Sequence, residues 1–106
     1  MKKLNTVKFI AEATRGFDSW VKSIDGAEDL EEARKRGNAA IGYIDCMTVF
    51  LNTMIDKENN DFTEELDEML EEWTVKVYNH MADKAHSCGD MEAFTKYAKQ
   101  AREHAE

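Results

Sequence analysis

Apolar residues recur along this chain at the three-to-four spacing of an α-helix, and four such stretches can be traced. Val7, Ile10, Phe17, Trp20, Val21 and Ile24 keep that period from about Asn5 to Ile24. Gly16 interrupts the stretch and weakens it by about 1 kcal/mol relative to Ala. Asp25-Gly26 then ends the first helix. Asp25 with Glu28 forms a capping box that starts the second, from about Gly26 to Asp56. Leu30, Ala33, Gly37, Ala40, Ile41, Ile44, Met47, Leu51 and Met54 make its main stripe. Ala39, Tyr43, Cys46 and Phe50 add a second, so this helix is expected to be the most buried.

Asn59-Asn60-Asp61 reads as a turn, with Asp61 and Glu64 as the capping box of the third helix. Phe62, Leu66, Met69, Leu70, Trp73, Val77, Met81 and Ala85 share one face of it. Gly89 is the expected left-handed terminator. Asp90 caps a short fourth helix that runs to about His104 and buries Met91, Phe94, Tyr97, Ala98 and Ala101. No alternating strand pattern, internal repeat or linker interrupts this order. The predicted fold is all-α: one domain over residues 1–106, a small bundle of three long helices plus a short C-terminal fourth.

Composition agrees with the pattern. The 106 residues include no proline, and ten aromatic residues fall in helical order, which excludes full disorder. Met1-Lys2-Lys3 is basic, but Lys8, Glu12 and Arg15 break any apolar leader behind it. The most apolar stretch, Ala39 to Ile55, contains Asp45 and is shorter than the ~20 residues a membrane span needs. Two cysteines without a secretory signal point to buried or free thiols in a reducing compartment, and so to a cytoplasmic location.

Charge is what sets this chain apart. The formal net charge is −8, and residues 57–72 alone hold −7 of it. Direct nucleic-acid binding by phosphate neutralisation is therefore not expected. Asp61, Glu64, Glu65, Glu68, Glu71 and Glu72 recur at spacings of three and four, so they form one ridge roughly 16 Å long. Such a ridge either solvates a helix face or presents carboxylates to a basic protein partner, such as a nucleic-acid-binding protein whose groove takes them in place of phosphates. Arg34-Lys35-Arg36 is not a competing basic patch, because Glu31 and Glu32 stand four residues before Lys35 and Arg36.

Catalytic signals are sparse. Glu31, Asn38, Asp45 and Asn52, spaced by seven, form a polar seam that is either solvent-facing or a register device at an interface. Ala33, Gly37 and Ala40, small residues at one-turn spacing, either let a neighbouring backbone approach closely or are ordinary tapering of the core, and the second is expected. His80, Asp83, His86 and Cys88 match no zinc spacing, and no nucleophile elbow or phosphate loop occurs. No metal site and no cofactor is expected. Glu28-Asp29-Leu30-Glu31 and Glu64-Glu65-Leu66-Asp67 resemble the ExxE and ExxD halves with which the all-α nucleoside triphosphate pyrophosphatases of the MazG type bind magnesium. That resemblance implies a magnesium-dependent hydrolase as the enzymatic alternative.

The leading expectation is a non-enzymatic acidic interaction protein, an inhibitor or regulator, binding through Asp61, Glu64, Glu65, Glu68, Glu71 and Glu72. A structural homo-oligomer is the third class. Tyr43, Phe50 and Met54 of the doubly apolar second helix are the expected self-association residues of a homodimer.

Overall fold

The computed structural model describes the backbone of residues 6–54 and 60–105, and the side chains of residues 8–50 and 64–105. Four helices account for nearly all of it: α1 (Thr6–Asp25), α2 (Leu30–Met54), α3 (Asn60–Ser87) and α4 (Met91–Ala105). There is no strand among the described residues. The all-α bundle read from the sequence is the fold observed.

Consecutive helices run antiparallel. Phe9 of α1 stacks on Phe50 of α2, Gly37 of α2 lies against Met81 of α3, and His104 at the end of α4 reaches Glu71 of α3. α1, α2 and α3 pack against one another, and α4 lays its backbone along α3 alone. α3 is thus the one helix whose backbone packs against all the others, and α2 reaches α4 by side chain, Arg34 to Tyr97. Among the described side chains α3 buries Leu66, Leu70, Trp73, Val77, Met81, Ala82 and Ala85, whereas α2 buries Ala33, Gly37, Ala40 and Ile44. The expectation that the second helix is the most buried is corrected: its second apolar stripe is the seam with α1, not evidence of a central position.

Two aromatic contacts lock the three-helix unit. Phe17, 1% exposed, stacks on Trp73 with ring centroids 4.5 Å apart and planes 5° from parallel. Tyr43 lies 6.3 Å from the same Trp73 ring, and its hydroxyl donates to the Ala13 carbonyl at 2.9 Å. Gly16 makes that second contact possible, because a Cβ there would sit 2.8 Å from Tyr43 Oη. The helix-weakening residue of the sequence is a notch for a tyrosine. Gly37 is a second notch, filled by the Met81 side chain, which is 2% exposed. Of the small residues Ala33, Gly37 and Ala40, all buried, Gly37 is thus a shaped contact with α3 rather than simple tapering.

The helix ends show local chemistry overriding one expectation. Asp29, not Asp25, caps α2: its Oδ1 accepts from the Glu32 amide at 2.8 Å and its carbonyl from the Ala33 amide at 3.0 Å. Asp25 instead closes α1, whose C-terminal carbonyls are gathered by other helices. Arg36 Nη1 donates to the Ser23 carbonyl at 2.6 Å and Lys84 Nζ to the Asp25 carbonyl at 3.3 Å. At Gly89, φ is +77°, the Gly89 amide bonds the His86 carbonyl, and the Asp90 amide reaches back to Ala85 at 2.9 Å. That is a Schellman closure. Asp90 then caps α4 through the Ala93 amide at 3.0 Å. On α4 the expected burial of Met91 is corrected, since it is 54% exposed and Ala93 takes the core position. Trp20 of α1 is likewise 41% exposed.

Two predictions follow from these notches. Gly37→Ala gains about 1 kcal/mol of helix propensity but overpacks Met81, at a cost of about 1–3 kcal/mol. Urea unfolding is expected to show a net loss. The same change at Gly42, which has nothing within 4 Å of a built Cβ, is expected to stabilise by about 0.5–1 kcal/mol. A gain at both positions would show that the Met81 notch is not tight.

The second concerns Tyr43, whose phenol is held above the ordinary tyrosine pKa by desolvation on burial. A folded-state pKa raised above the unfolded one gives stability that is complete below pH ~10 and lost as pH rises through the folded value. Tyr43→Phe is expected to cost about 1 kcal/mol at neutral pH and to flatten the alkaline decline. It also removes the atom that blocks Gly16, so Gly16→Ala is expected to be less harmful in that background than in the wild type. Additive costs in chemical denaturation would contradict the shared contact.

Candidate functional site

The first half of α3 carries the site. Leu66, Leu70 and Trp73 turn into the core, and helical geometry puts the intervening acids on the opposite side. Glu64, Glu65, Glu68, Glu71 and Glu72 are all exposed. Asp61 lies within α3, not ahead of it as a cap, and its side chain falls outside the described residues. Glu71 has a partner: His104 Nδ1 stands 3.2 Å from its Oε2. Glu64, Glu65, Glu68 and Glu72 make no ion pair among the described residues. Lys76, which the sequence offers to Glu72, instead meets Asp18 of α1 at 3.4 Å.

α4 lies over the second half of α3 and reaches Glu71 with its last turn. There His104 stacks on Tyr78, centroids 5.6 Å apart and planes 14° from parallel. Two hollows flank this turn. An open groove of about 710 Å³ is lined by Asp67, Glu68, Glu71, Glu72, Val75, His104 and Ala105. A smaller crevice of about 210 Å³ runs between α2 and α3, lined by Ile41, Ile44, Asp45, Thr48, Leu70, Glu71, Thr74, Tyr78 and His104. Both share Glu71 and His104. In sequence His104 reads only as the end of a fourth helix. The antiparallel hairpin about Gly89 is the signal that places it, because residues at comparable distances from the turn, 18 for Glu71 and 15 for His104, come alongside each other.

The remaining candidates separate. Tyr43 is half-buried, with its hydroxyl committed to α1, and Phe50, 37% exposed, stacks on Phe9 at 5.3 Å. The Met54 side chain is outside the described residues. Glu31, Asn38 and Asp45 of the polar seam are exposed, and Asn52 is outside the described side chains. Arg36 pairs with Glu32 at 3.2 Å. Arg34 donates to the Tyr97 hydroxyl at 3.1 Å, and that bond raises the guanidinium pKa above its ordinary value.

His80, Asp83, His86 and Cys88 do not converge. His80 Nδ1 is 2.8 Å from Asp25 Oδ1, and His86 meets the Phe94 ring edge-on at 5.4 Å. Among the described residues no three His, Cys, Asp or Glu side chains are grouped to hold a metal. Cys46 and Cys88 are exposed and unpaired with each other. The two halves of the pyrophosphatase-like motif are not brought together either. Glu28 precedes α2 and Glu31 opens it, at the end where α2 meets the C-terminal half of α3. Glu64 and Asp67 lie at the opposite end of that seam, roughly 30 Å away at 1.5 Å per residue.

No described helix is long and apolar enough to cross a membrane. Comparison with protein-family models, with curated proteins and with solved structures finds no match to this chain.

Proposed function

We propose that this protein is a non-catalytic binding protein that presents the first half of α3 to a basic surface on a protein partner. The observation that carries this reading is the row of exposed carboxylates Glu64, Glu65, Glu68 and Glu72, without ion pairs among the described residues, on the part of α3 that α4 leaves open. Folding gives no reason to gather like charges there, since interspersed charges solubilise equally well. Spaced about 5.4 Å apart along one face, they suit a partner groove built for the phosphates of a nucleic acid. Binding of this kind inhibits or regulates the partner by occupying its basic surface. The exposed, unpaired Cys46 and Cys88 suit a reducing compartment, and the reading places the protein in the cytoplasm.

A magnesium-dependent hydrolase is the weaker reading, because its two carboxylate pairs lie at opposite ends of the α2–α3 seam. Self-association is a second reading with its own observation: Val49 is 66% exposed beside the Phe9–Phe50 stack. If that end joins two copies, Val49→Glu is expected to leave the helical circular dichroism intact and to convert a sedimenting dimer to a monomer. A wild-type chain that is monomeric at micromolar concentration would remove this reading.

The ridge is tested by changing Glu64, Glu68, Glu71 and Glu72 together to Gln, which has similar helix propensity. Proteins captured from the native host by the wild type are expected to be basic and to be lost with the variant. Surface-binding kinetics are expected to show a falling on-rate, more than a rising off-rate, in the variant and with added salt. Equal binding by both proteins, insensitive to salt, would leave the acids only a solubilising role.

A further inference from the structure

We infer that the solvent side of the α1–α3 seam pairs two copies of this chain about a two-fold axis running along the seam. Consecutive helices are antiparallel, so α1 and α3 run parallel, and three contacts fix their register. Phe17 stacks on Trp73, Lys76 meets Asp18 at 3.4 Å, and His80 meets Asp25 at 2.8 Å. A residue of α1 therefore lies level with one roughly 55–58 positions further on in α3. Arg15 comes beside Glu72, and Lys22 about one turn short of Asp83. Asp18 and Lys76 are each about half exposed. Arg15 and Lys22 stand three and four residues from Asp18, and Glu72 and Asp83 four and seven from Lys76, so all six share that side. α4 makes no backbone contact with α1 among the described residues.

The two rows carry opposite signs in the same order. Arg15, Asp18 and Lys22 read plus, minus, plus, and Glu72, Lys76 and Asp83 read minus, plus, minus. Lys8 and Glu65, both exposed, continue the rows with the same signs. Within the chain only the middle pair closes: Arg15, Lys22, Glu72 and Asp83 are exposed and make no ion pair among the described residues. A strip of two complementary rows is complementary to itself. Half a turn about an axis along the seam lays the α1 row of one copy over the α3 row of the other at the same level. Arg15 then faces Glu72 of the second copy, Asp18 its Lys76 and Lys22 its Asp83, each contact occurring twice. An axis across the seam would lay α1 on α1, where cations meet cations. Glu12 and Glu68 fall at the two edges of the strip, in the solvated rim. Repulsion between two chains of net charge −8 is screened beyond about 8 Å at physiological ionic strength, so the local match decides. From Lys8 to Asp25 the strip is roughly 26 Å long and about 20 Å wide, two helices set about 8–10 Å apart. It buries about 1,000 Å² over both copies, the lower end for a specific interface, so the dimer is weak.

The strip shares only Glu65 and Glu72 with the acidic ridge and does not include Val49. The test is sedimentation equilibrium of the full chain up to millimolar concentration, with circular dichroism to confirm that each variant is folded. The wild type is expected to dimerise. Arg15→Glu and Glu72→Arg, both at exposed positions, are each expected to weaken the dimer at least tenfold, because each sets like charges against one another twice. An equimolar mixture of the two variants is expected to recover the wild-type affinity to within about threefold, since Glu at 15 then faces Arg at 72 and Arg15 still faces Glu72. A wild type that stays monomeric at millimolar concentration would overturn the inference. So would a mixture that associates no better than either variant alone, or a dimer that withstands both reversals and is lost on Val49→Glu. Arg15→Glu leaves the acidic ridge intact, so capture of basic proteins by that variant tests the partner surface separately from the dimer.

Discussion

The backbones of α1, α2 and α4 all pack against α3, and α3 is not covered equally along its length. One face must meet α1 and α2, where Phe17 stacks on Trp73 and Met81 fills the Gly37 notch. An adjoining face takes α4, from His86 against Phe94 to Tyr78 and Glu71 against His104. The first half is left without α4, and there Glu64, Glu65, Asp67, Glu68, Glu71 and Glu72 stand exposed. Apolar packing in the second half anchors the helix, so the first half tolerates a charge pattern that an isolated helix would resist.

The size of that resistance matters. Glu64–Glu68, Glu68–Glu72, Glu65–Glu68, Glu68–Glu71, Glu64–Asp67 and Asp67–Glu71 are like-charge pairs at three- or four-residue spacing. At about 0.2–0.5 kcal/mol each, they oppose helix formation by about 1–3 kcal/mol in all. The helix macrodipole returns about 0.3–1 kcal/mol to the acids of the first turns and nothing by Glu71. The exposed His104–Glu71 pair returns at most about 1 kcal/mol. The balance is unfavourable, so the ridge adds nothing to the stability of the helix, which supports the binding surface proposed above.

Much of the architecture was legible from residue spacing alone. The number of helices, the Gly89 closure, the Asp90 cap and the core face of α3 all follow from local rules that the structure obeys. The start of α2 did not, because Asp25 and Asp29 each have an acid three residues on, and only the position of the α1 C-terminus chooses between them. The rank of the helices was misjudged for a related reason. A helix wedged between two neighbours and a helix at the centre both show two apolar stripes. The ridge was legible as charge, since helical period settles which acids share a face. The two hollows beside it were not, because they depend on where α4 lies along α3 and brings His104 to Glu71, a tertiary fact.

The central claim, that these carboxylates oppose folding and are therefore retained for another purpose, is most directly tested by the salt dependence of stability. Unfolding free energies of the wild type and of the Glu64, Glu68, Glu71 and Glu72→Gln protein would be measured by urea titration from low to high sodium chloride. The expected result is a variant more stable than the wild type at low salt, with the difference shrinking as screening increases. A variant less stable than the wild type at low salt would show that the acidic ridge serves the fold itself, and would contradict the claim.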